Sequence, residues 1–179
     1  MFEDLWLLGS QERDIPLYTR LRSRLRNSQA QEPDDRSLQK FDRLLAQHRR
    51  WEFRKAACGT YNCFGHVWAA RRTAIYEQSE IETIRRDDGY RLLSVNETAR
   101  PGDLALYYDS QRQSLYHVGV VCEQRPAVAL DDRPQPPTVP WILSKLDDAS
   151  GEVVHHMNDV HLPDGFTVAF WTDRPGPHA

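Results

Sequence analysis

The sequence predicts an α+β protein, helical in its first half and built of short strands in its second. Three observations predict it. Apolar residues recur at helical spacing as far as Glu82. From Leu92 onward, short apolar or alternating runs are separated by Pro-Gly, Asp-Ser and Asp-Gly turn signals. The composition, 40% hydrophobic and 27% charged with five Trp, suits one soluble core. At 179 residues, a second large domain is not expected.

In the first third, Leu17, Leu21 and Leu25 sit at helical spacing with Arg20, Arg22, Arg24 and Arg26 between them, which predicts an amphipathic helix with a basic flank. That flank reads as a solvated face. Pro33-Asp34-Asp35 then supplies a start for a second helix from Arg36 to about Arg54, with Leu38, Phe41, Leu44, Leu45, His48 and Trp51 or Glu52 along one side. The turn-like Cys58-Gly59-Thr60-Tyr61-Asn62 leads into a third helix from Cys63 to about Glu82, capped by Asn62. Val67, Trp68, Ala70, Ala74, Ile75 and Ile81 would be buried along it.

Strands are expected at Asp103–Tyr108, His117–Cys122, Ala127–Leu130, Trp141–Leu146, Glu152–His156 and Thr167–Thr172. Asp131–Pro140 carries too many prolines for a helix or a central strand and reads as an extended loop. The division that follows is a helical region over residues 1–55, a core over 56–174 and a frayed tail at 175–179.

Charge and cysteine content narrow the function. A formal charge of −3 and a pI near 6.2 give no general attraction to nucleic acid. No apolar run approaches the roughly 20 residues of a membrane span. Leu5 to Leu8 is too short for a signal-peptide core, so synthesis in the cytoplasm is expected, with export by a route lacking a cleaved signal left open. Cys58, Cys63 and Cys122 fit a reduced compartment or at most one bridge.

A thiol attacks a carbonyl as its thiolate, which a helix start and a neighbouring imidazole promote. Cys63, after the Asn62 cap, has the predicted helix start and its free N–H groups, which would also hold an oxyanion. His117 enters an apolar strand, Leu115 to Val121, and Gly119 on its face leaves space beside the ring.

These segments resemble a known family. Asn62-Cys63-Phe64-Gly65-His66-Val67-Trp68-Ala69 is similar to the cysteine-bearing helix start of the NlpC/P60 superfamily. Arg100-Pro101-Gly102-Asp103-Leu104-Ala105-Leu106-Tyr107-Tyr108 resembles its "RPGDLVFF" strand, and Tyr116-His117-Val118-Gly119-Val120-Val121 its "HVGIY" strand. They occur in the family's order, with Cys63 and His117 separated by 117 − 63 = 54 positions. The resemblance covers about residues 58–172 and leaves the first fifty unexplained. It implies a papain-like core, a helix packed on an antiparallel sheet, and a cysteine peptidase or amidase that needs no cofactor. Its substrate would be a peptide or a peptidoglycan fragment.

In the family, a polar residue on the strand after the HVG strand orients the imidazole. Trp141-Ile142-Leu143-Ser144-Lys145-Leu146 followed by Gly151-Glu152-Val153-Val154-His155-His156 is similar to a "SKWG…H" variant, which gives Ser144 this role with His155 as the alternative. Ser departs from the usual His, Asn or Gln, and Asn62 from the usual Asp.

Other readings stand beside this one. Cys58 is the rival nucleophile, and Cys122 reads as core. Cys58, Cys63, His66 and His117 make a four-ligand zinc set in type, without a Cys-x-x-Cys pair. Tyr61 is either an oxyanion or substrate donor or a packed ring. Asn62 falls in the same substrate-binding group. Asp103 reads as a turn residue, and Asp147, Asp148 and Asp159 as loop charges. Adjacent His155 and His156 must face opposite sides of a strand. A non-catalytic binding module, a protein-directed protease or an acyltransferase are the competing functions. The N-terminal helices would be a cover bound to a partner or inhibitor, a delivery signal or packing.

Overall fold

A computed structural model of the chain describes residues 14–29, 32–109, 114–127, 137–160 and 166–176. The expected runs at Leu5–Leu8, 128–130 and 131–136, and the tail at 177–179, lie outside the described residues. The architecture is α+β: three helices and a seven-stranded sheet are described.

The helices are α1 (Asp35–Gln47), α2 (Cys63–Trp68) and α3 (Gln78–Asp87). The strands are β1 (Glu52–Lys55), β2 (Arg91–Leu92), β3 (Leu104–Asp109), β4 (Leu115–Pro126), β5 (Thr138–Lys145), β6 (Glu152–His156) and β7 (Phe166–Thr172). In space the order is β1-β6-β5-β4-β3-β7-β2, with every neighbouring pair antiparallel. The hairpin-rich second half accounts for the centre of the sheet, and β1 and β2 close its two edges.

Four expectations are corrected. Leu17–Arg26 is not a helix: the chain doubles back, with Tyr18 bridged to Arg24 and Leu25 N–H donating to Leu17 O. Leu17 and Leu25 are buried as the two legs meet, and Leu21 stands exposed at the tip beside Arg22, whose φ is 66°. Thr19 Oγ1 ties this turn to Asp87 Oδ2 at 2.9 Å.

The second helix ends at Gln47, short of Arg54, and residues 52–55 instead add β1 to the sheet edge, where Glu52 faces Val154. The start was legible, since Asp34 caps α1 by accepting from the Ser37 N–H at 2.8 Å.

The third helix breaks in two. After six residues the chain reverses through positive φ at Ala70 (49°) and Arg71 (64°). The return strand passes so close to α2 that a Cβ on Gly65 would lie 1.8 Å from Thr73 O. Asn62 fastens it: its Oδ1 accepts from Gly65 N and Ile75 N, and its Nδ2 donates to Ile75 O.

Finally, Pro140 lies inside β5, opposite Gln124 of β4. It is tolerated because β6 ends at its Trp141–His156 pair, so β5 is an edge there and loses no ladder partner for the missing N–H. The start of the expected frayed tail is also held, with Pro175 O accepting from Arg91 Nη2 at 3.0 Å.

The sheet is covered on both sides. On one, α2, α3 and the 17–25 turn pack Cys63, Ile81, Ile84, Leu17 and Leu25 against Leu104, Leu106 and Val118. On the other, Phe41 and Leu44 of α1 pack with Trp51 on Val153. Ala105, Tyr107, Val121 and Ile142 form the adjoining apolar layer. Among the described residues, no helix is long and apolar enough to cross a membrane.

Candidate active site

Cys63 is the first residue of α2, directly after its Asn62 cap, as expected. Yet α2 has six residues, so the aligned peptide dipoles behind the sulfur are few, and the thiol is 7% exposed. Burial pushes the thiol up to about 12, against the pull of the Val118, Phe64 and Cys63 backbone amides and the Lys145 charge. The sulfur therefore rests protonated, held against the backbone of Val118, the residue that follows His117.

The imidazole of His117 takes the other surface of the sheet. β4 alternates, so Val118 and Val120 point to the α2 side with Cys63, while His117 pairs with Tyr107 of β3 and lies tilted at 49° to its ring, centroids 5.4 Å apart. Burial, with the nearby His155 and His66, lowers its pKa to about 3. Its Nε2 is buried without a hydrogen-bond partner, as is the Tyr107 hydroxyl. Among the described residues no hydrogen bond joins the Cys63 thiol to His117, which corrects the expectation of a preformed pair. A register shift between Tyr107 and Tyr108 places a bulge at Tyr116, just before His117. Bulges of this kind re-aim the neighbouring side chain.

Ser144 and His155 are one unit and not alternatives. The acceptor of His155 Nδ1 is the His156 carbonyl at 2.9 Å, so Nδ1 carries the proton and the bare Nε2 accepts from the Ser144 hydroxyl at 2.8 Å. Both are fully buried, and burial lowers the His155 pKa to about 4, which keeps the ring neutral. Gly119 stands beside them: a Cβ there would lie 2.4 Å from Ile142 Cγ2 and 3.0 Å from Ser144 Cβ. Its space holds neighbouring strand side chains, where the sequence suggested open room beside the ring. Ser144, His155 and His117 thus share a sheet face, with no hydrogen bond from Ser144 or His155 to His117 among the described residues.

Tyr61 and Asn62 are committed elsewhere, which corrects their expected part in holding an oxyanion or substrate. The Tyr61 hydroxyl donates to Glu152 Oε1 at 2.6 Å, and the Lys55 and Lys145 ammonium groups lie 5.0 and 5.1 Å from its ring centroid. Burial and then the Glu152 carboxylate hold the phenol well above its usual range. Asn62 spends its amide on α2 and Ile75.

No local sequence pattern pointed to the ionic cluster around Tyr61. Arg71 Nε donates to Glu152 Oε1 at 2.6 Å, and Arg71 Nη2 lies 3.1 Å from His66 Nε2. An arginine only donates, so His66 Nε2 accepts and its neutral ring carries the proton on Nδ1, which is buried without a partner. Burial lowers the His66 pKa to about 4. The fully buried Lys145 donates to Cys58 O at 2.9 Å and to Ser150 O. The only sequence signal was indirect: Lys145, Glu152 and Val154 alternate with Ser144, Val153 and His155 on the paired strands β5 and β6, so each strand carries polar residues toward both layers.

The remaining candidates divide plainly. Asp103 is the turn residue expected, accepting from Arg100 N at 2.7 Å and pairing with Arg174. Asp159 does more than carry a loop charge: its carbonyl accepts from Trp51 Nε1 at 2.8 Å. Cys122 is half-buried in β4 with its thiol on Trp141 O at 3.2 Å. Among the described residues no three His, Cys, Asp or Glu side chains are grouped to hold a metal, so the zinc set of Cys58, Cys63, His66 and His117 is not assembled.

No family model, curated protein or solved structure matches the chain.

Proposed function

We propose that the protein is a cysteine hydrolase with a papain-like core of the NlpC/P60 type, Cys63 serving as nucleophile and His117 as general base. The observation that carries this reading is the fold's juxtaposition of the Cys63 sulfur and the Val118 backbone, beside a histidine whose buried Nε2 has no partner. An imidazole nitrogen left unpaired in the interior costs about 1–3 kcal/mol, which a catalytic role would explain.

The raised thiol and lowered imidazole pKa values point to a neutral resting pair, so proton transfer accompanies attack. A one-residue shift of β4 at the bulge, which exchanges the strand's two faces, brings His117 to the Cys63 side, where it accepts the Sγ proton as sulfur bonds to the carbonyl carbon of an amide. The backbone amides of Cys63, Phe64 and Val118 receive the oxyanion. His117 returns the proton to the departing amine, and water cleaves the thioester by the same steps. Ser144 and His155 hold the ring's surroundings. By its resemblance, the first substrate class is the stem peptide of peptidoglycan.

Mass spectrometry of peptidoglycan fragments and peptides after incubation with wild type and Cys63→Ala tests it. Fragments released only by wild type support the reading, and identical digests of both refute it. The second reading is a non-catalytic binding module of the same fold. It is favoured by the burial of the thiol and the absence of a bond to His117. It predicts ligand binding that survives Cys63→Ala with no product formed.

A further inference from the structure

An open surface groove of about 430 Å³ is lined by Glu82, Arg85 and Arg86 of α3 with Tyr90 and Trp171. The Arg85 guanidinium lies over the Trp171 indole, its Cζ 3.6 Å from the ring centroid. Its Nε is buried with no hydrogen-bond partner, and among the described residues no carboxylate pairs with it. Neighbouring charges are otherwise engaged: Arg86 bonds Asp87 at 2.9 Å and Asp173 bonds Arg20 at 2.5 Å. Arg85 is half-buried, and its contact with the indole face leaves N–H groups of the guanidinium without a protein partner.

From this geometry we propose that the Arg85–Trp171 groove binds a monoanionic carboxylate carried on an apolar or aromatic body. The planar fork of the guanidinium matches a carboxylate with two parallel N–H···O bonds. Tyr90 and Trp171 supply apolar walls for the body of the ligand. Glu82, which lines the same groove and has no ion pair among the described residues, disfavours a doubly charged phosphate. The Phe64–Trp68 stack, with ring centroids 6.1 Å apart, and the Trp68–Tyr90 contact at 6.2 Å link this wall to α2. The proposal does not depend on the thiol chemistry.

Titration of the full chain with N-acetyl-phenylalanine, its amide and phenyl phosphate, read from the ¹H–¹⁵N resonance of the Trp171 indole assigned with Trp171→Phe, tests it. The expected result is a saturable shift with the acid, binding of the amide about tenfold or more weaker, and phenyl phosphate no tighter than the acid. Arg85→Gln should lose the preference for acid over amide, and Arg85→Lys should keep part of it. Four results would overturn the proposal: no saturable shift with the acid, equal binding of acid and amide, tighter phenyl phosphate, or an undiminished acid preference in Arg85→Gln. The wild-type comparison of acid with amide decides the matter even where a variant fails to fold.

Discussion

Glu152 is 3% exposed and receives both the Tyr61 hydroxyl and the Arg71 guanidinium, so its charge is compensated, and the buried Tyr61 hydroxyl would itself be stranded without it. Burial alone would raise the carboxyl, yet Arg71 and Tyr61 outweigh it and its pKa falls below the usual range. Glu152→Ala should therefore destabilise the fold by about 1–3 kcal/mol, since it leaves the buried Tyr61 hydroxyl unsatisfied while the 41%-exposed Arg71 regains water. Urea denaturation checks this, and a change within about 1 kcal/mol would mean the cluster is better hydrated than its burial implies. The sequence could not show the cluster, because Tyr61, Arg71 and Glu152 come from a loop, a reversal and a strand. The Asn62 cap was legible because it is local: its Oδ1 reaches Gly65 N, three residues on. The second grip of the same side chain on Ile75 was not, because it depends on the return of a chain read as helix.

At the level of elements, helical periodicity failed where long-range packing overrode it. Residues 63–82 carry an apolar pattern that suits one helix, but the reversal at Ala70 and Arg71 divides them into α2, a return segment and the start of α3. Gly65 permits that reversal, since only hydrogen fits against Thr73 O. Gly65→Ala should cost about 3 kcal/mol or more, because the obstacle is backbone and cannot rotate away. Thermal unfolding would show it as a clearly lowered Tm, and an unchanged Tm would contradict the close approach. The strands were read better. β6 has the expected limits, and β3, β4 and β7 contain or nearly match their runs, because short apolar runs bounded by turn residues mark strands, including β3 and β6, which are buried on both faces. Leu17, Leu21 and Leu25 misled because both legs of a tight turn can bury leucine at the same spacing as a helix. The order of strands, with β1 from the N-terminal region closing one edge, had no signature in any local run.

For the whole molecule, three buried histidines set the response to acid. His66, His117 and His155 have pKa values lowered to about 4, 3 and 4, chiefly by burial, against about 6.5 in the unfolded chain. The folded state thus refuses protons that the unfolded state accepts. Their contribution is fully present above about pH 6.5 and is lost as pH falls toward 4, at up to about 1 kcal/mol per pH unit for each ring. Denaturant midpoints measured between pH 7 and 4.5 should fall steeply, and His155→Gln should flatten the slope. A midpoint independent of pH would show these rings to be solvated. Cys63 lies against Val118 of β4 while the preceding His117 faces the other layer, and the proposed catalysis depends on bringing the two side chains together. The most direct test is the rate at which an activated peptide ester acylates Cys63, followed by intact and peptide mass spectrometry in wild type and His117→Ala. The account predicts acylation at Cys63 that slows about 100-fold or more without the imidazole. Equal rates in the two proteins, or an acyl group found on Cys58, would contradict it.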